Sequence, residues 1–118
     1  MGATWSMKEL RTRSAFKKDL KKVSEYPNFP QELLKEYIDK LLNGKKLPEA
    51  ARDHKMSKSS PRKYQGLRDF HLTPDICVIY KLENSAITLY RIGKHNNLDL
   101  TEEEIISSEN SRRESRRY

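Results

Sequence analysis

One stretch constrains this chain more than any other: Ile76-Cys77-Val78-Ile79-Tyr80-Lys81-Leu82, whose first five residues are the longest apolar run in the sequence. Five apolar residues fall far short of the roughly 20 that span a bilayer. A short run that is apolar on both alternating sides fits a central strand buried on both faces. Its neighbours read as strands too. Arg68 to Leu72 alternates, with Phe70 and Leu72 on one side and Asp69 and His71 on the other, outward side. Thr73-Pro74-Asp75 is a turn, Glu83-Asn84-Ser85 a hairpin connection, and Ala86 to Ile92 the returning strand, broken at Gly93.

The first half has a different period. Ser14 is placed to cap a helix in which Phe16, Leu20 and Val23 recur at i, i+4 and i+7, with Lys17, Lys18, Lys21 and Lys22 mostly on the other faces and Pro27 beyond its end. A second helix starts near Pro30, carries Leu33, Leu34, Tyr37, Ile38, Leu41 and Leu42, and stops at Asn43-Gly44. Lys8 to Arg11 is short and ambiguous, an edge strand at most. Two helices followed by a run of strands define an α+β fold: two N-terminal helices packed on one face of an antiparallel sheet. The basic stretch Met56 to Tyr64 reads as a loop, and the tail from Ser107 to Tyr118 is too poor in apolar residues to pack. The expected organisation is an extension at residues 1–6, one domain over 7–100, and a charged, flexible C-terminal tail over 101–118.

Composition narrows the function. Charged residues make up 35% of the 118, against about 25% in an ordinary globular domain. The net charge of +7 is unevenly spread, with +4 in residues 1–25 and +6 in residues 45–68, while each remaining segment is slightly acidic. Two separated basic segments on a small domain suit a polyanion, whose phosphates release counterions on binding. Cys77 is the single cysteine, which excludes an internal disulfide and a cysteine-rich zinc site; inside the apolar run it reads as a buried, inert thiol. No basic region followed by an apolar stretch opens the chain, so the expectation is a cytoplasmic protein with no membrane partner. Four glycines form neither a Walker A nor a dinucleotide-binding pattern.

The chemistry lies in the three histidines, His54, His71 and His95. Antiparallel pairing of strands 76–82 and 86–92 brings the His95 end toward Pro74-Asp75, and His71 lies four residues before Asp75. Arg91 is close by in sequence. Histidine exchanges protons near neutral pH, and an arginine can stabilise charge developing on a phosphate. RNA carries its own nucleophile, the 2′-hydroxyl, so a ribonuclease can work with a base, an acid and a cation and no metal. The competing use of a His-His-Asp set is as zinc ligands, which the surrounding positive charge opposes.

Three stretches together resemble the YafQ branch of the RelE/ParE toxin superfamily, the toxin halves of bacterial type II toxin–antitoxin modules. They are Leu47-Pro48 with Arg52-Asp53-His54; Gly66-Leu67-Arg68-Asp69-Phe70-His71-Leu72-Thr73-Pro74-Asp75 leading into Val78-Ile79-Tyr80; and Leu89-Tyr90-Arg91-Ile92-Gly93-Lys94-His95. Phe16-Lys17-Lys18-Asp19-Leu20 also fits, and the likeness runs over about Lys8 to Leu98.

The resemblance implies a RelE-like, microbial-RNase-like fold and a ribosome-dependent endoribonuclease that cuts mRNA in the ribosomal A site without a metal or other cofactor. It implies His54, His71, Asp75, Arg91 and His95 as the catalytic set. His71 and His95 would handle protons, Arg91 would stabilise the scissile phosphate, and Asp75 would orient a histidine or act as a base. Lys55, Arg62, Lys63 and Lys94 are the candidates for gripping rRNA or mRNA phosphates. The implied partners are mRNA, the ribosome and an acidic antitoxin that doubles as a DNA-binding repressor. The chain departs from the family where Leu-Phe commonly follows the last histidine: here Leu98 is followed by Asp99. Tyr64 and Tyr90 are the aromatic candidates for the missing base stack. The alternatives are a degenerate member that binds ribosome or antitoxin without cutting, and a ParE-like gyrase poison on the same fold.

Overall fold

The computed structural model describes residues 8–56, 64–94 and Leu98. In chain order the elements are β1 (Glu9–Thr12), α1 (Ser14–Val23), α2 (Gln31–Leu42), a 3-10 turn (Glu49–Ala51), β2 (His54–Lys55), β3 (Arg68–His71), β4 (Ile76–Leu82) and β5 (Ala86–Lys94). The five strands form one sheet in the order β1-β5-β4-β3-β2. All neighbours are antiparallel except β1, which runs parallel to β5 at the edge.

The α+β architecture follows the sequence reading, and β4 occupies the expected central position. Its alternate residues part between two clusters. Ile76, Val78 and Tyr80 join Phe16, Val23, Leu34, Tyr37 and Leu41 beneath the helices. Cys77 and Ile79 join Met56, Tyr64, Leu67 and Leu98 on the opposite face. That second cluster corrects one expectation: Asp69 and His71 do point away from the helices, but they are buried, at 0% and 4% exposure.

Other local details also differ. Ser14 is the first helical residue rather than the cap; Arg13 takes that position with no side-chain cap bond. Helix α2 ends as Asn43-Gly44 signals. Gly44 adopts φ +72°, Lys45 N–H bonds the Lys40 carbonyl at 2.8 Å, and Gly44 N–H bonds that of Leu41 at 3.1 Å. This is the Schellman closure that a left-handed glycine permits.

Gly93 does not break β5. It continues the strand opposite Cys77, and pairing extends to Lys94 opposite Ile76. The β4–β5 ladder slips at Ile79/Tyr80: Ile79 faces Arg91 while Tyr80 faces Leu89, so Tyr90 is an extra residue on β5. Leu89 and Ile92, three apart, both enter the helix-side core. Tyr90 packs on the other cluster, and Arg91 follows it to that face. A bulge commonly re-aims a side chain in this way.

Candidate active site

The strand registers assemble the site. His54 pairs with Asp69, Asp69 with Ile79, and Ile79 with Arg91, one row across β2, β3, β4 and β5. In the adjoining row His71 pairs with Cys77 and Cys77 with Gly93. Paired residues share a face, and rows two residues apart are roughly 7 Å apart along the strands. The face opposite the helices therefore gathers His54, Asp69, His71, Cys77 and Arg91.

His54 opens β2, half-buried, with its Nδ1 2.8 Å from the Arg52 carbonyl oxygen. A carbonyl only accepts, so in neutral His54 the proton sits on Nδ1 and Nε2 carries the lone pair. The backbone makes this possible: Arg52 ends the 3-10 turn in the left-handed region at φ +48°. Next to it, Asp53 is anchored from the core. The Tyr80 hydroxyl donates to Asp53 Oδ1 at 2.5 Å, and Arg68 Nε lies 3.3 Å from the same oxygen and 3.2 Å from the Tyr80 hydroxyl. Burial pushes the Tyr80 hydroxyl far above its ordinary pKa, and its bond to Asp53 pushes the same way. Burial works against the Arg68 charge, but hydrogen bonds with Tyr80 and Asp53 outweigh it and raise its pKa.

Arg91 is held by a residue the sequence reading did not single out for chemistry. Asp19 of α1 accepts from Arg91 Nε at 2.6 Å and Nη2 at 3.0 Å, and from the Ile92 backbone N–H at 3.1 Å. The last bond closes the edge of β5 just past the point where β1 ends. The hydrogen bond to Asp19 is the main reason the guanidinium pKa is raised, and the Tyr64 hydroxyl adds to it. Asp75 is exposed in the turn after β3, where Thr73 Oγ1 accepts its N–H at 3.2 Å and that of Ile76 at 3.0 Å.

Of the phosphate-gripping candidates, Lys55 is exposed on β2. Lys94 is exposed at the end of β5, its ammonium 5.0 Å from the centre of the Tyr26 ring. His95, Arg62, Lys63 and Asp99 lie outside the described residues, as do residues 1–7, most of the Met56–Tyr64 loop and the tail. The register does put Lys94 opposite Ile76, one residue from Asp75. Of the two aromatic substitutes, Tyr64 is ruled out by burial at 2% exposure, with its hydroxyl bonded to the Leu98 carbonyl. Tyr90 is half-exposed under Arg13, 4.7 Å from ring centre to guanidinium.

Asp69 is the functional candidate that the sequence reading passed over. Alternation had placed it beside His71, but nothing in the sequence showed that this side would be covered.

Residues 8–100 match the family model for the bacterial YafQ toxin of type II toxin–antitoxin systems. Several solved structures share the fold. Escherichia coli YafQ from strain BL21(DE3) is 28% identical, with a TM-score of 0.67 over 77% of this chain and 97% of that one. YafQ in the E. coli DinJ–YafQ complex is 30% identical, with a TM-score of 0.65 over 77% and 97%. A metal-bound toxin from Helicobacter pylori is 26% identical, with a TM-score of 0.68 over 78% and 99%. No curated protein matches the chain. Fold and sequence together thus define the toxin half of a type II toxin–antitoxin module. The chain belongs to the YafQ family.

Proposed function

We propose that this YafQ-family toxin is a ribosome-dependent endoribonuclease that cleaves mRNA in the ribosomal A site by acid–base catalysis. The observation that carries the reading is the gathering of His54, His71 and Arg91 on one sheet face by two adjoining register rows. The RNA 2′-hydroxyl loses its proton to a base as O2′ bonds to phosphorus. The P–O5′ bond breaks, an acid returns a proton to O5′, and the products are a 2′,3′-cyclic phosphate and a 5′-hydroxyl. His71 and His95 carry the two protons. His54, whose Nε2 is the accepting nitrogen, and Asp75 orient the reacting groups, while Arg91 offsets charge on the phosphate. Lys55, Arg62, Lys63 and Lys94 bind rRNA or mRNA phosphates.

The YafQ relative forms a complex with DinJ; by the same logic this chain, with its +7 charge, takes an acidic antitoxin. One observation favours a second reading, binding without cleavage: Asp19 already occupies two nitrogens of Arg91.

Primer extension on an mRNA in a cell-free bacterial translation system decides between them. Discrete cuts that need ribosomes and vanish in His71→Ala and His95→Ala are expected. Intact mRNA at every toxin concentration, with protein still bound to ribosomes, would establish the non-cutting reading instead.

A further inference from the structure

Asp69, His71 and Cys77 bring a carboxylate oxygen, an imidazole nitrogen and a thiol sulfur within 4.8 Å of one another, all three buried. No other such cluster of three potential ligands occurs among the described residues. We propose that they form a binding site for a thiophilic transition-metal ion of the zinc class, and that the bound ion silences the toxin by taking His71 as a ligand. The metal site is argued from these residues alone; the silencing rests on the proposed ribonuclease reading.

Three features carry the site. The donors come from rigid backbone, since His71 pairs directly with Cys77 and Asp69 with Ile79 in the β3–β4 ladder. Ligands on paired central strands are held more rigidly than ligands on loops. The donor set then fits in geometry. Zinc bonds of about 2.0–2.3 Å place tetrahedral donors roughly 3.3–3.8 Å apart, so a closure of about 1 Å, within reach of side-chain rotation, completes the site.

The charge also balances. Asp69 and Cys77 are fully buried, and burying net charge is costly. A divalent ion with one carboxylate, one thiolate and one neutral imidazole sums to zero, and the thiol proton leaves to solvent on binding. Thiolate and imidazole select zinc-like or copper-like ions over magnesium and calcium, which prefer oxygen. The apolar side chains of Met56, Tyr64, Leu67 and Ile79 in the cluster around Cys77 form a dry shell. Water fills the fourth position. Entry is from the His71 side, the least buried of the three.

The test uses the full chain and Co2+ as a spectroscopic probe. A saturable 1:1 complex is expected, with a thiolate-to-cobalt charge-transfer band in the near ultraviolet and the visible bands of tetrahedral cobalt. Zinc should displace the cobalt. Cys77→Val, whose fold is checked by circular dichroism, should lose the charge-transfer band, and Asp69→Asn should weaken binding at least tenfold. Cobalt binding without that band, or with equal affinity in Cys77→Val, means adventitious histidine binding and overturns the site.

For the silencing, cleavage is compared with and without zinc within each variant. Loss of cutting by the natural chain but not by Cys77→Val supports it; equal sensitivity overturns it. If no variant cuts even without metal, the ribonuclease reading fails, while the cobalt spectrum still decides the site.

Discussion

Asp19 offers the sharpest test of how the site is held. Substituting Asp19→Ala removes three acceptor contacts together: two from the Arg91 guanidinium and one from the Ile92 N–H. The side chains are 25% and 13% exposed, so the pair lies between two limits. Exposed pairs contribute about 0–1 kcal/mol, whereas breaking a buried pair costs about 3–5 kcal/mol. An intermediate value of about 2 kcal/mol applies to the ion pair. The orphaned Ile92 N–H adds about 0.5–1 kcal/mol, because water at the open edge of β5 partly replaces its acceptor. The expected loss is about 2–3 kcal/mol, read by urea denaturation, and at about 4–8 °C per kcal/mol it lowers Tm by roughly 10–20 °C. A double-mutant cycle with Arg91→Met separates the parts. About 1–2 kcal/mol of coupling should belong to the pair, and the remainder should persist when Arg91 is absent. A change of Asp19→Ala within 0.5 kcal/mol of the natural chain, or full additivity with Arg91→Met, would refute the argument that Asp19 fixes Arg91.

Three further outcomes follow from particular contacts. The folded state keeps the Tyr80 proton at pH values where the unfolded chain has released it, since burial and Asp53 raise its pKa above the usual value of about 10. This contribution is therefore fully present below about pH 10 and is lost as pH rises through the folded value. Alkaline titration of stability should show a shallower decline in Tyr80→Phe, and identical slopes would contradict the assignment. Gly44→Ala should cost about 1 kcal/mol through backbone strain alone at φ +72°, because an added Cβ meets nothing within 4 Å; denaturation measures it. Ribosome binding should weaken steeply with salt, log K falling linearly with log salt concentration as phosphate contacts release counterions. A flat response in a pelleting assay would remove the basic-surface argument.

Most of the scaffold was legible because its elements announce themselves through periodicity. The Ile76–Tyr80 run fits a doubly buried strand between its turn signals, and Phe16, Leu20 and Val23 recur at the spacing of one helix face that packs on the core. What escaped was of two kinds. The two-residue β2 is too short to carry any pattern; it exists because His54 and Lys55 find partners in Asp69 and Arg68. The contacts between Asp19 and Arg91, 72 residues apart, and between Asp53 and Tyr80, 27 apart, depend on packing that no local spacing encodes. The burial of Asp69 and His71 on the face away from the helices escapes local spacing for the same reason. Met56, Tyr64, Leu67 and Leu98, scattered in sequence, combine with Cys77 and Ile79 to cover that face.

The bulge at Tyr90 was present in the sequence as a break in phase. Ile87 and Leu89 are two apart and face the helices, and the next core residue, Ile92, is three further on. A regular strand would carry Arg91 into the apolar core and expel Ile92. Accepting one extra residue keeps Ile92 inside and sends both Tyr90 and Arg91 to the site face. Deleting Tyr90 should then restore a regular ladder while leaving Arg91 opposite Ile79 and Ile92 opposite Val78. The cost should be only that of the lost half-exposed ring, about 1–2 kcal/mol. Cross-strand nuclear Overhauser contacts between residues 79 and 91 read the register directly. Their replacement by contacts between residues 78 and 91 would show that something other than the Leu89–Ile92 spacing sets the position of Arg91.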